Sequence, residues 1–112
     1  MENKTKISIE DFQKVEIKIG EILSVEKVEG SDKLLKLSVS FGEDKRCILS
    51  GISKYFENSQ DLVGKKCAFV TNLEPRKIMG LESQAMILAV SSDNFFSLLE
   101  TSKNVTPGST VK

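Results

Sequence analysis

Apolar and polar residues alternate with a period of two along much of this chain. Val15, Ile17 and Ile19 alternate with Glu16 and Lys18, as a half-buried strand requires. Gly20 interrupts that strand and predicts a bulge or a sharp bend; residues 22–28 continue it. Residues 29–32, EGSD, read as a turn. Leu35, Leu37, Val39 and Phe41 then alternate with Lys36, Ser38 and Ser40, giving a second clean strand. Residues 42–45 form a hairpin turn into a third strand over 46–50. A short helical turn is predicted over 52–56 and loop over 57–61. A fourth strand ends in CAFV at 67–70, a fifth covers 84–91 and a short sixth covers 95–99. Near the N-terminus, Ser8 and Asp11 have the spacing of a capping box, and Ile9 and Phe12 share one helical face. Residues 9–13 are read as a short helix that plugs a barrel end or a partner surface. Residues 1–6 are polar and read as disordered.

Five principal short strands, a helical insertion before the fourth and no long helix fit a small closed all-β barrel. The five-stranded Greek-key OB-fold, which binds oligonucleotides with one face and its loops, is the candidate. At 112 residues the chain builds one core, so residues 1–112 are read as a single domain. It has no apolar run long enough for a membrane span and no secretory leader, which points to the cytoplasm. The two cysteines, Cys47 and Cys67, sit inside apolar strand-like runs and read as small core hydrophobes. With no His and no C-x-x-C, no metal site is expected. No P-loop, dinucleotide fingerprint or nucleophile motif is present, so neither a cofactor nor catalysis is expected.

Formal net charge is zero, which taken alone argues against a nucleic-acid partner. The distribution changes that. Residues 33–77 carry nine Lys or Arg against five acids, while the flanking segments are both net acidic. The positive field lies in the middle of the chain.

Within that segment, residues 72–86 read NLEPRKIMGLESQAM, between the apolar runs CAFV and MILAV. The stretch is expected to be a long loop on a rigid base that presents Arg76, Lys77, the Asn72 amide and the Ser83 hydroxyl. A planar Arg can fork onto phosphate oxygens, and Lys adds a mobile point charge. Asn72 and Ser83 offer hydrogen bonds to sugar or base edges, with turn chemistry the rival role for Asn72. Met86 either packs its thioether on an exposed base or belongs to the core, since it starts an apolar strand. Tyr55 either stacks on a base or buttresses the insertion around it, and packing is the favoured role, because RNA-stacking faces carry several exposed aromatics.

The order NL-x-PRK-x-x-G-x-x-S-Q resembles the tRNA-binding domain appended to the C-terminus of bacterial methionyl-tRNA synthetases. The same domain occurs as a free-standing tRNA-binding protein and in endothelial monocyte-activating polypeptide. The resemblance runs from IEDFQKVEIKIGEI through VEGSDKLLKLSVSFG and LSGISKYF to TPGSTVK, nearly the whole chain. It implies an OB-fold that binds tRNA by shape rather than by sequence and assists aminoacylation, either as a domain partnered with a methionyl-tRNA synthetase catalytic chain or as a free-standing tRNA-binding protein. It also implies that Lys33 and Lys54 border the binding face. The free-standing relatives are homodimers. Val105, Val111, Phe95, Phe96, Leu98 and Leu99 exceed what a barrel end needs, so a two-fold dimer through the C-terminal segment and the N-terminal helix is expected. The competing reading is a dimeric OB-fold export chaperone that binds unfolded polypeptides. One departure stands out: the family has S-Q-G-M where this chain has Ser83-Gln84-Ala85-Met86.

Overall fold

A computed structural model describes residues 5–112. Of the polar leader expected to be disordered, residues 1–4 lie outside the described residues, while Thr5 and Lys6 are exposed. The spine of the fold is β1 (Ile17–Lys27), the longest strand. Its first half pairs antiparallel with β4 (Lys66–Val70) and its second half with β2 (Leu35–Ser40). Glu21 faces both partners, Lys66 on one side and Ser40 on the other. A strand that serves two neighbours in turn must curl, and a register shift between Ile22 and Ser24 marks the bulge where it bends. β3 (Lys45–Ser50) pairs with β2, and β7 (Met86–Ile87) pairs with β4. The result is a curled five-stranded antiparallel sheet in the order β3-β2-β1-β4-β7, the OB-type barrel that the alternation predicts.

The alternating residues supply the core. Leu35, Leu37 and Val39 of β2 are fully buried with Ile22, Ile48 and Phe69, and the Phe41 and Phe69 rings meet edge to face at 5.4 Å. The expected irregularity at Gly20 lies instead at Ile22–Ser24. Gly20 has a packing reason: an added Cβ would sit 2.5 Å from Val39 Cγ1 and 2.7 Å from Phe41 Cε1, both on buried residues that cannot yield.

Side chains close the barrel where strands do not. The Leu49 amide donates to Ser83 Oγ (2.9 Å) and the Cys47 amide to Gln84 Oε1 (2.9 Å), while the Gln84 amide donates to Cys47 O (3.0 Å). The free edge of β3 is thereby sealed. The C-terminal extension is stitched to the sheet as well. Gly108 and Val111 amides donate to Ile19 and Ile17 carbonyls, and the Thr101 amide donates to Lys66 O.

Several elements differ from expectation. The helix α1 (Ile9–Phe12) forms, with the Asp11 amide donating to Ser8 Oγ at 3.0 Å, but none of its residues is buried. It therefore does not plug the barrel. The first strand starts at Ile17, not Val15. Residues 57–61, expected as loop, run into a 3-10 turn (Ser59–Leu62) that follows the expected one (Ser53–Tyr55) and drives Leu62 into the core. The long strand expected over 84–91 breaks into β7 and β8 (Ala89–Ser91). The Leu88 amide still bonds Ala68 O, whereas residues 89–91 swing away to pair with β9 (Phe96–Leu98). Leu98 is buried and Phe96 stacks on Tyr55, so neither is free for a dimer contact, whereas Phe95, Leu99 and Val111 are exposed. Among the described residues no helix is long and apolar enough to cross a membrane.

Candidate nucleic-acid interface

The segment read as a long loop is a short hairpin. β5 (Arg76–Ile78) pairs with β6 (Leu81–Ser83) in the register Arg76–Ser83, Lys77–Glu82 and Ile78–Leu81. The turn is Met79-Gly80, with φ of 52° and 79°, the two positive values that a type I′ hairpin turn demands. Alternation along β5 sends Arg76 and Lys77 to opposite faces. Arg76 sits beside Ser83 in the lining of a pocket of about 50 Å³ that Leu49, Leu73, Glu74, Ala85 and Met86 complete. Lys77 lies on the outer face, across from Glu82.

The base of the hairpin is fixed at both ends. Asn72 Nδ2 donates to Lys14 O (2.6 Å), and Asn72 Oδ1 accepts from the Glu16 amide (2.8 Å). Next to it, buried Thr71 donates from Oγ1 to Glu16 Oε1 (2.6 Å). Arg46 bridges the two ends: its Nη1 donates to Thr71 O (2.6 Å) and Gln84 O (3.2 Å). Its Nε donates to Asp44 Oδ2 (2.9 Å), and the guanidinium carbon stands 5.6 Å from the centre of the Phe41 ring. Charge-assisted donors of this kind are stronger than neutral ones.

These bonds redefine two of the expected contact residues. Ser83 is only 6 % exposed, and its hydroxyl accepts from Leu49 N and donates to Ala85 O (3.2 Å). Asn72 spends both ends of its amide on the backbone ahead of β1. Both side chains hold the hairpin in place rather than reach outward. Met86 is 45 % exposed at the pocket rim, and Ala85 is buried in its wall. Lys33 and the Ser53–Tyr55 turn are tied together by the Ser53 amide donating to Lys33 O (3.0 Å). Lys54 Nζ stands 5.1 Å from the centre of the Tyr55 ring, and that ring stacks flat on Phe96 at 4.0 Å. Tyr55 thus buttresses the insertion. Only Phe41 and Phe69 of the phenylalanines are in the core.

Sequence reasoning missed Arg46, Gln84 and Met79. Gly80 alone hints at the Met79-Gly80 turn, because Met-Gly is not among the Asn-Gly, Asp-Gly or Gly-Gly pairs that signal a two-residue hairpin. No local pattern marks the Arg46 clamp. Cys67 is fully buried, and burial, with Glu100 adding to the effect, pushes its thiol up to about 11, so it is no nucleophile near neutral pH. Cys47 and Cys67 are both unpaired.

Comparison with known proteins places this geometry in context. Residues 17–110 match the family described as "Putative tRNA binding domain". The chain is 49% identical over 105 residues to a methionine–tRNA ligase of Caldanaerobacter subterraneus, covering 94% of this chain and 16% of that relative. It thus spans about a sixth of the ligase's length. Its fold matches a MetRS-related protein from Pyrococcus horikoshii with a TM-score of 0.91 at 33% identity, covering 97% of this chain and all of that one. It also matches a CsaA chaperone protein from Picrophilus torridus with a TM-score of 0.85 at 26% identity, over 96% of this chain and all of that one.

Proposed function

The chain belongs to the tRNA-binding domain family found in methionine–tRNA ligases, and from that membership we propose that it grips tRNA by the shape of its folded backbone rather than by sequence. In this reading it assists aminoacylation, either as an appended domain working with a methionyl-tRNA synthetase catalytic chain or as a free-standing tRNA-binding protein. The observation that carries the reading is the clamped hairpin, which offers Arg76 at its pocket mouth and Lys77 on its outer face. Lys33 and Lys54, tied together through the Ser53 amide, add charge. Cations supply the salt-sensitive affinity. Met86 supplies an apolar rim, and Asn72 and Ser83 keep the hairpin in register. The exposed aromatics are few, which suits a backbone reader more than a reader of successive single-stranded bases.

A gel-shift titration of several different tRNAs at two salt concentrations tests this. Saturable binding to all of them, weaker at the higher salt, is the expected result. A folded sample that binds none of them would sink the reading. It would favour instead the chaperone reading, which the likeness to the CsaA protein supports and which peptide binding tests.

One small patch binds weakly alone, and a second copy would raise avidity. Ile7, Ile9, Phe12 and Val15 form an exposed apolar arm, and Phe95, Leu99 and Val111 are exposed as well. A two-fold homodimer that covers these residues is the proposed assembly. Light scattering is expected to give twice the chain mass for the wild type and the monomer mass for Phe12→Asp. A wild-type monomer at micromolar concentration would refute it.

A further inference from the structure

We propose that Met79, at the tip of the β5–β6 hairpin, packs its thioether on an unpaired nucleobase of the bound RNA and so helps to distinguish folded tRNA from plain duplex; this rests on the tRNA-binding reading above. Met79 is the one non-glycine residue with positive φ among the described residues. Left-handed backbone is unfavourable for a side chain that cannot hydrogen-bond locally, and two-residue turns of this kind prefer Asn, Asp or Gly at the first position. Turn chemistry therefore does not call for methionine here. Nor does the core, because Met79 is 58 % exposed. Its terminal methyl lies 3.5 Å from where a Cβ on Gly30 would stand, which lays the tip against the β1–β2 turn without enclosing it.

The position gives the residue a use. Met79 is two residues beyond Lys77 on the hairpin that carries Arg76, and it reaches the turn that leads into Lys33. Lys77 and Lys33 can draw in phosphates there, against Glu29 and Asp32 of the same turn and Glu82 across from Lys77. An unbranched, polarizable thioether at the hairpin tip suits what lies between phosphates, which in a folded RNA is the face of a splayed-out base. A paired stem keeps its bases stacked and offers no such face. Strain at an exposed apolar tip is thus retained where contact with a ligand repays it.

The test is Met79→Asn, which suits the turn and removes the apolar contact. Binding to tRNA and to a fully paired RNA stem is measured for the wild type, Met79→Asn and Met79→Leu, with a thermal melt of each. Met79→Asn is expected to raise Tm by about 2–4 °C. It is also expected to lose about tenfold in tRNA affinity, with binding to the paired stem unchanged, so that the preference for tRNA narrows. Met79→Leu is expected to retain most of the affinity. Opposite signs for stability and binding separate a contact residue from a structural one. A lower Tm for Met79→Asn would assign the side chain to holding the tip down and overturn the proposal. Unchanged tRNA affinity would overturn it while leaving the tRNA reading intact, and a simultaneous loss of the dimer would move the residue to a protein interface. Failure of the wild type to bind tRNA would overturn both.

Discussion

Replacing Arg76 by alanine is expected to lower tRNA affinity about thirtyfold near 0.1 M salt, and replacing Lys77 only about threefold. The difference follows from the hairpin register. The side chains leave opposite faces of β5, and Arg76 stands at a pocket lined by Leu49, Leu73, Ala85 and Met86 as well as by Glu74. There an exposed guanidinium would fork onto a phosphate beside an apolar surface, and such charge-assisted pairs contribute about 1.5–3 kcal/mol. Lys77 is as exposed as Arg76, but it lies across from Glu82, and its ammonium is a screened point charge rather than a planar fork. Because the two faces act independently, the double substitution should cost about the product of the two losses. The log–log salt slope should fall by about one for each phosphate contact removed. Titrations of both single variants and the double variant at two salt concentrations read all of this. Equal losses for the two residues would mean that both cations meet one phosphate surface, as their adjacency in sequence implies. An unaffected double variant would remove the hairpin from the interface.

The barrel was legible because half-buried strands write their burial into the chain. Leu35, Leu37 and Val39 point inward while Lys36, Ser38 and Ser40 do not, and this period of two needs no tertiary information. The hairpin was not legible in the same way. Its strands are three residues each, too short to show a period, and Pro75 with the adjacent charges masks them as loop. The roles of Asn72 and Ser83 were hidden for a different reason. Their partners, Lys14, Glu16 and Leu49, are more than 30 residues away in sequence, and an amide or hydroxyl looks alike whether it faces RNA or a distant backbone group. The residues expected at a dimer contact divide on the same ground: Leu98 and Leu99 are neighbours of one type, and only the pairing of β8 with β9 decides which one is buried. Ala85, where the resemblance leads to an expectation of glycine, is buried in the lining of the Arg76 pocket.

Arg46→Lys is expected to destabilise the fold by about 2 kcal/mol and to weaken tRNA binding without changing the charge of the protein. Arg46 reaches Thr71 O and Gln84 O with one nitrogen and Asp44 with another, while lying over Phe41. A planar fork can hold three directions at once; an ammonium on a shorter, flexible stem holds fewer and is more strongly hydrated. The lysine variant therefore leaves at least one half-buried carbonyl without its charged donor. Thr71 and Gln84 bracket the segment that carries the hairpin, so losing either bond frees one of its ends. Urea unfolding should show a lower midpoint with an unchanged m-value, since the surface exposed on unfolding is the same. Affinity for tRNA should fall about fivefold while the salt slope stays at the wild-type value, because the charge is conserved and no phosphate contact is lost. If Arg46 works by placing Arg76, then Arg46→Lys should cost little further affinity once Arg76 is already alanine, the non-additivity expected of coupled residues. Full additivity would show that Arg46 acts on RNA independently of the hairpin. A wild-type urea midpoint for Arg46→Lys would show that the Ser83 and Gln84 bonds to β3 hold the seam without the clamp.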